Sequence, residues 1–296
     1  MTSPASPGTA TSDGDRTWSP SEVQRARDVY RAGRGRRSTG IAVLSTVVVL
    51  GLLVLGVTSS PGWPRVQQSF FDPEVAWAAL PEVAYGLRLN AYVWLAAGAG
   101  MLVFGLLIAL LRTLQGPVFW PLRALATAYV DLFRGLPVII TLYLIGFGVP
   151  GLRLQGVPSD PVVLGAIALT LTYSAYVAEV LRAGIESVHP SQRAAARSLG
   201  LSTAQTMRHV VLPQGVRRVV PPLLNDLVSL QKDAGLLSVL GPLDALRQAQ
   251  VVQADYANFT PYVVAGLLFI AFTIPLTRLT DWVMRRNGFL PSGLKI

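Results

Sequence analysis

The feature that most constrains this chain is a set of apolar stretches too long and too free of charge for a water-soluble core. A helix needs roughly 20 apolar residues to cross the hydrocarbon core of a bilayer. Five stretches between charged residues approach or meet that length: Ile41 to Val57, Arg88 to Arg112, Arg134 to Arg153, Asp160 to Glu179 and Asp255 to Arg278. A sixth, from about Val219 to Leu240, is interrupted by Pro221, Pro222 and Gly235 and carries Asn225, Asp226, Ser229, Gln231, Lys232 and Asp233. Such groups are tolerated at membrane depth only where protein buries them or a watery path runs past them. The sequence therefore predicts an all-α integral membrane protein, a bundle of about six transmembrane helices with the sixth span broken.

Composition agrees, because only 14% of residues are charged against 51% hydrophobic, the reverse of a soluble domain with its charged quarter. No cysteine occurs, which excludes disulfides, thiol nucleophiles and cysteine-held metals. The net charge of +9 comes from arginines at the ends of apolar runs and in the first forty residues, a membrane distribution that calls for no nucleic-acid partner. Placing that arginine-rich start in the cytoplasm and threading six spans also puts Arg112, Arg123, Arg134, the stretch from Arg182 to Arg218, and Arg285 with Arg286 inside. Both termini are then cytoplasmic. Residues 41–57 could form the core of a signal peptide, but forty residues precede them and no small-residue cleavage pattern follows, so a retained span is expected.

The N-terminal tail, residues 1–40, divides in two. Residues 1–18 are rich in Ser, Thr, Pro and Gly and are expected to be disordered. Ser19, Pro20 and Glu22, with Trp18 stapling onto Val23, then suggest a capped basic helix over 19–33, either a topology-fixing leader or a helix lying on anionic headgroups.

The longest inner loop, 186–214, encodes two short helices. Ser191 follows Pro190 at the start of the first, and Gly200 is placed to end it in a left-handed conformation. Ser202 with Gln205 forms a capping box for the second, which Pro213 closes. The product is a helical knuckle with Ala194, Ala195 and Ala196 on one arm, Leu199 and Leu201 at the bend, and Arg193, Arg197 and Arg208 around it. His189 and His209 flank it as surface residues with no metal spacing. Glu179 and Arg182 lie one helical turn apart, as do Asp131 and Arg134, which suits interfacial ion pairs or anchors for the knuckle.

This loop resembles the inner-membrane permeases of ATP-binding-cassette importers, whose pattern is EAA, three residues, Gly, nine residues, Ile, one residue, Leu-Pro. Ala195, Ala196, Gly200, Leu212 and Pro213 fall on it in register, and Val210 replaces the isoleucine. The acidic position is Ala194. From residue 84 onward the chain looks like the polar amino acid uptake branch of the type I importers, through FRGLPVIITLYLIGFGVP, SAYVAEVLRAGIESV, LPQGVRRVVPPLLNDLVSLQKD and LLSVLG. Relatives read KDTSL where this chain reads KDAGL, so Ala234 and Gly235 lack two hydroxyls; if these touch substrate or a gate in relatives, that contact is lost or transferred here.

The resemblance implies an importer transmembrane domain over 85–285, an extra N-terminal span over 41–58 and a C-terminal tail over 286–296. It also implies a non-enzymatic permease forming half of a pathway for a polar amino acid of the glutamate, glutamine, arginine or histidine class. No Gly-rich phosphate loop occurs, and Lys232 and Lys295 are the only lysines, so ATP and Mg²⁺ belong to a partner. Implied partners are an ATPase dimer, a second permease subunit with a heterodimer preferred over a homodimer, an extracytoplasmic amino-acid-binding protein, and the lipid of a bacterial plasma membrane. The expected ATPase-docking residues are Ala195, Ala196, Leu199, Gly200, Leu201, Val210, Leu212 and Pro213. Along the sixth span, Asn225, Ser229, Gln231, Lys232 and Asp233 could hold the α-ammonium and α-carboxylate of an amino acid; alternatively Lys232 pairs with Asp233 or Asp226 and seals the pore. The competing functions are an ion-coupled secondary transporter using Asp226 and Asp233, which inverted repeats would favour, and an unenergised channel or scaffold.

Overall fold

The computed structural model describes residues 21–114 and 116–287, and every regular element among them is helical. Two compact units divide the chain at Pro64.

The first unit holds α1 (Glu22–Thr58), an unbroken helix of 37 residues and about 55 Å. The Ser21 hydroxyl caps it by accepting from the Gln24 N–H at 3.2 Å. One expectation changes here. No separate helix ends near residue 33, because Gly33, Gly35 and Gly40 only weaken a helix and do not break it without a competing cap. The expected Ser19 cap, the Trp18 staple and the disordered 1–18 lie outside the described residues, as do 288–296. The apolar part of α1, Ser38–Thr58, buries none of its residues against its own unit.

The second unit begins within the amphipathic α2 (Trp63–Phe70), whose end is tied down by contacts far along the chain. The Phe259 N–H donates to the Ser69 carbonyl at 2.7 Å, Asn258 Nδ2 donates to the Gln68 carbonyl at 2.8 Å, and the Phe70 and Phe259 rings stack at 5.3 Å. Asp72 caps α3 (Pro73–Thr113), accepting from the Glu74 and Val75 N–H groups, with Pro73 in the first turn where its missing donor costs nothing. This 41-residue helix buries Val83, Val93, Ala97, Met101 and Ala109 along one stripe and is the spine of the unit.

The third expected span, Arg134 to Arg153, is the second limb of a bent pair. α4 (Trp120–Gly135) and the run formed by α5 (Val138–Tyr143), a π-helical turn (Leu144–Gly148) and α6 (Val149–Gly151) meet at 109°. Leu136 is extended at ψ 133°, the conformation forced on a residue before proline, here Pro137. The 14 residues from Val138 to Gly151 span only about 21 Å, less than the hydrocarbon core.

α7 (Pro161–Glu186) starts at an Asp160 cap and lies against α3 over most of its length. Then come α8 (Pro190–Ser198), α9 (Thr203–Thr206), a π-helical turn (Met207–Val211) and α10 (Leu212–Asp233). The predicted break at Pro221 and Pro222 is absent, and both prolines lie inside α10. The helix instead tightens to a 3₁₀ turn (Ala234–Leu240) that ends at Gly241, φ +99°. α11 (Ala245–Tyr256) and α12 (Thr260–Arg286) complete the fold.

One core gathers Val93, Met101, Leu142, Leu169, Val177, Leu230 and Leu237 from α3, α5, α7, α10 and the 3₁₀ turn. A second joins Ala79 and Val83 to Ala245, Ala249, Val264 and Ala265. By length and composition, four helical stretches among the described residues can cross a membrane, or five if the bent pair is one span; α10 is too polar along one face to count among them.

Candidate functional site

The knuckle is built from local capping chemistry. His189 opens α8: its Nδ1 lies 3.2 Å from the Ser191 N–H and 2.7 Å from the Ser191 hydroxyl, while Pro190 occupies the first turn. At the other end Gly200 has φ +82°. The Leu201 N–H reaches the Ala196 carbonyl at 3.2 Å and the Gly200 N–H reaches the Arg197 carbonyl at 3.0 Å, the paired bonds of a Schellman motif. Ser202 and Gln205 then cap α9 reciprocally, at 3.2 and 2.8 Å.

Pro213 does not close the second arm. The Leu212 N–H reaches back five residues to the Met207 carbonyl, and this widened turn absorbs the proline that a strict α register would set against the His209 carbonyl. The arm therefore continues from Thr203 through α10 to Asp233, so the knuckle and the polar helix form one lever.

Further bonds brace the knuckle. Arg193 Nη2 donates to the Ile185 carbonyl at 2.6 Å, Arg197 Nη1 donates to the Thr203 hydroxyl at 2.5 Å across the bend, and Gln214 Nε2 donates to Gln192 Oε1 at 3.1 Å between the arms. Arg218 donates to the Ser187 carbonyl. Ala195, Ala196, Leu199, Leu201 and Val210, all expected docking residues, line one groove of about 410 Å³ together with Ser191 and Gln192. Leu199 stands out from it at 82% exposure, whereas Leu201 is partly covered; Leu212 and Pro213 are exposed at the start of α10.

Where α7 runs toward the knuckle, one carboxylate gathers arginines from three helices. Glu179 accepts from Arg112 of α3 at 2.8 Å and from Arg182 at 2.5 and 3.1 Å, with Arg134 of α4 at 3.8 Å; Arg182 also pairs with Glu186. Arg134 thus turns toward Glu179, so the predicted local ion pairs become a junction between helices.

Along α10, Asn225 and Lys232 are exposed and Ser229 is partly exposed, at the i, i+4, i+7 spacing of one helical face. Asp233 lies partly buried beside them and its Oδ2 accepts from the Tyr173 hydroxyl at 2.7 Å. Lys232 makes no ion pair among the described residues, so the alternative in which it pairs with Asp233 or Asp226 is not the arrangement found. Gln231 departs from the expected row: it is 1% exposed and its Oε1 accepts from Thr273 of α12 at 2.7 Å.

Ala234 and Gly235 are buried, and a Cβ on Gly235 would come 2.9 Å from the Phe269 ring. A hydroxyl added at either position of this chain would enter buried surroundings and not the exposed row of α10. Sequence reading missed Tyr173, the His189 cap, and a buried pair, Asn90 and Asp244, that locks the 3₁₀ turn to α3.

The family described as "Binding-protein-dependent transport system inner membrane component" matches residues 101–288. The chain is 38% identical over 191 residues to the "Probable glutamine ABC transporter permease protein GlnM" of Bacillus subtilis (strain 168), covering 64% of this chain and 85% of that protein. It is 30% identical over 216 residues to the "Glutamine transport system permease protein GlnP" of Escherichia coli (strain K12), covering 73% and 95%. Similarity to the "Arginine transport system permease protein ArtQ" of Bacillus subtilis (strain 168) is 30% over 213 residues, covering 71% and 95%. Among solved structures, an amino acid ABC transporter with histidines matches at 33% identity and a TM-score of 0.64 over 70% of this chain and 94% of that one. The capped knuckle, the helical bundle that carries it and these matches have one reading: the chain belongs to the inner-membrane components of binding-protein-dependent transport systems, the permease subunits of ATP-binding-cassette importers.

Proposed function

We propose that this chain forms half of the translocation pathway of an ATP-driven importer of a polar amino acid, with both of its termini on the cytoplasmic side. The knuckle around Gly200 docks on a separate ATPase subunit, and a second permease subunit covers the exposed row of Asn225, Ser229 and Lys232. An extracytoplasmic binding protein delivers the substrate. The observation that carries this reading is the continuity of the knuckle with α10, an uninterrupted helical path from Thr203 to Asp233. A rigid-body push on the capped loop is thereby delivered to the residues that would line the path, which is what alternating access requires. Glutamine and arginine permeases among the relatives support the amino acid class. Lys232 suits an α-carboxylate, while Asn225 and Ser229 offer hydrogen bonds to the α-amino end.

The test is uptake into proteoliposomes that contain this chain, its second permease subunit and its ATPase, with the binding protein added outside. Labelled glutamine, arginine, glutamate and histidine are offered with ATP enclosed, and uptake of at least one of them is expected only with ATP and binding protein. Uptake driven by a proton or sodium gradient without ATP would establish the ion-coupled alternative instead.

A further inference from the structure

One face of α3 carries two adjoining recesses. The larger, about 550 Å³, lies between α3 and α7 and runs along α3 from Tyr92 to Phe104. Its shape follows from side-chain size. Ala96 and Gly100 of α3 with Ala166 of α7 make a low floor, and a Cβ on Gly100 would come within 2.7 Å of Thr170. Tyr92, Phe104 and Ile167 stand exposed around that floor, Tyr92 at 70%. The Thr170 hydroxyl donates to the Ala166 carbonyl at 2.8 Å, which leaves the Tyr92 hydroxyl as the one unengaged polar side-chain group of the lining. The smaller recess shares Tyr92 and is lined otherwise by Tyr85, Arg88, Leu89 and Leu243. Tyr85, Leu89, Tyr92, Ala96 and Gly100 follow one another at three- and four-residue steps, so the two recesses lie along one side of the helix. Arg88 is exposed and sits over the Tyr85 ring at 5.6 Å, with no carboxylate in ion-pair reach among the described residues.

Lengths along the helix match the layers of a bilayer. From Tyr92 to Phe104 α3 rises about 18 Å, close to the hydrocarbon depth of one leaflet, about 15 Å. Arg88 stands one turn beyond Tyr92, about 6 Å, which is the depth of a headgroup layer. An apolar groove of one-leaflet length thus ends at a cation flanked by two tyrosines, residues suited to a membrane interface. We infer that this face of α3 and α7 binds one anionic phospholipid, its acyl chain in the groove and its headgroup phosphate on Arg88. The leaflet is the outer one in the orientation proposed above. A guanidinium pairs phosphate oxygens bidentately, and one with no carboxylate opposite takes its counter-charge from a headgroup of net negative charge. A helix of the second permease subunit is the rival occupant. Spread over about 18 Å, the volume leaves a cross-section of about 30 Å², room for one alkyl chain and not for a helix about 10–12 Å across.

The experiment uses the full-length chain in its assembled transporter, purified in detergent and stripped of lipid. Native mass spectrometry follows binding of dioleoylphosphatidylglycerol and of dioleoylphosphatidylcholine over a titration of each. The tightest site should favour phosphatidylglycerol by at least about tenfold. Arg88→Gln should remove that preference and leave phosphatidylcholine binding unchanged, whereas Ala96→Phe, which fills the floor, should weaken both. Arg278→Gln, at an exposed arginine of α12, should change neither. Elution and melting of each variant without lipid, matched to the unsubstituted chain, exclude misfolding; Arg88→Gln alters an exposed side chain and carries the test even if Ala96→Phe destabilises. A benzophenone side chain placed at Ile167 should capture lipid on irradiation in membranes. Equal affinity for the two lipids, or a preference that survives Arg88→Gln, overturns the inference. So does capture of the second permease subunit at Ile167, since the groove is then a contact between subunits. Neither readout requires transport, so loss of the lipid site and loss of the importer reading are separate results.

Discussion

Asn90 Nδ2 lies 3.0 Å from Asp244 Oδ2 with both side chains buried, although 154 residues separate them in the chain. The same amide group donates to the Ala234 carbonyl at 2.9 Å, and Asn90 Oδ1 accepts from the Ala245 N–H at 3.0 Å. Asp244 in turn accepts from the Ser238 and Arg247 N–H groups, at 3.1 and 2.8 Å. One amide therefore holds the end of α10, the 3₁₀ turn and the start of α11 against α3. Burial pushes the Asp244 carboxyl above the usual carboxylate range, while these donors pull it back. Asn90→Leu removes the amide and leaves the carboxylate desolvated, an expected loss of about 2–3 kcal/mol seen as a lower melting temperature in detergent. An unchanged melting temperature would show the network to be dispensable.

Gly86 makes this approach possible. A Cβ there would lie 2.5 Å from the Asp244 carbonyl carbon, which is backbone and cannot swing aside. Gly86→Ala is expected to cost more than Gly86 could owe to backbone entropy, whose removal in a helix favours alanine by about 1 kcal/mol. The comparison variant is Gly51→Ala in α1, where nothing lies within 4 Å and the change should be neutral or stabilising.

Gly235 and Phe269 test whether the departure from the family pattern is a packing exchange. Gly235→Ser would press on the Phe269 ring, an overpacking expected to cost about 1–3 kcal/mol. With Phe269→Ala in the same chain the penalty should largely vanish. A double-mutant cycle on detergent melting gives the coupling, and additive effects would reject the exchange.

How much of this was legible in the sequence depended on the range of the chemistry. The knuckle was readable because caps act over three to five residues: Gly200, Ser202 and Gln205 sit where their types require. The His189 cap was not, since histidine is no ordinary cap and only Pro190 marked the boundary. Proline misled in both directions. Pro221 and Pro222 looked like a break, but a helix can leave the carbonyls a turn earlier unpaired by the backbone, whereas Pro137 makes a real bend by extending Leu136. The polar residues of α10 were legible by type, as polar groups in an apolar run, but not by face: Gln231 turns inward because Thr273 on α12 supplies its partner, a contact across 42 residues that no local pattern encodes. α11 is absent from the sequence reading, because twelve residues are too few to cross a bilayer and only long apolar stretches mark a span.

Glu179 offers a prediction of a different kind, because it joins α3, α4 and α7 through charge. The Arg112 side chain is only 12% exposed, so Glu179→Gln leaves a largely desolvated guanidinium without its counter-charge. The expected loss is about 3 kcal/mol, with reduced yield of folded protein. Arg134→Ala removes the most exposed and most distant of the three arginines and should cost less than about 1 kcal/mol. Equal losses for the two variants would contradict the ranking by burial.

Gly200→Asp separates docking from folding. At φ +82° glycine is favoured, but aspartate is among the residues that tolerate the left-handed region, and nothing lies within 4 Å of a Cβ there. The fold should therefore lose no more than about 1–2 kcal/mol, and membrane insertion and melting should stay close to those of the unsubstituted chain. The added carboxylate nevertheless stands beside Leu199 at the tip of the lever. An apolar seat on the ATPase would desolvate that charge without a partner, so ATP-driven uptake should fall by at least about tenfold while basal hydrolysis by the ATPase persists. Gly200→Asn, nearly the same shape without the charge, should retain most of the uptake. Equal loss in both variants would assign the defect to the shape of the turn, and normal uptake by Gly200→Asp would remove the knuckle from the path of force.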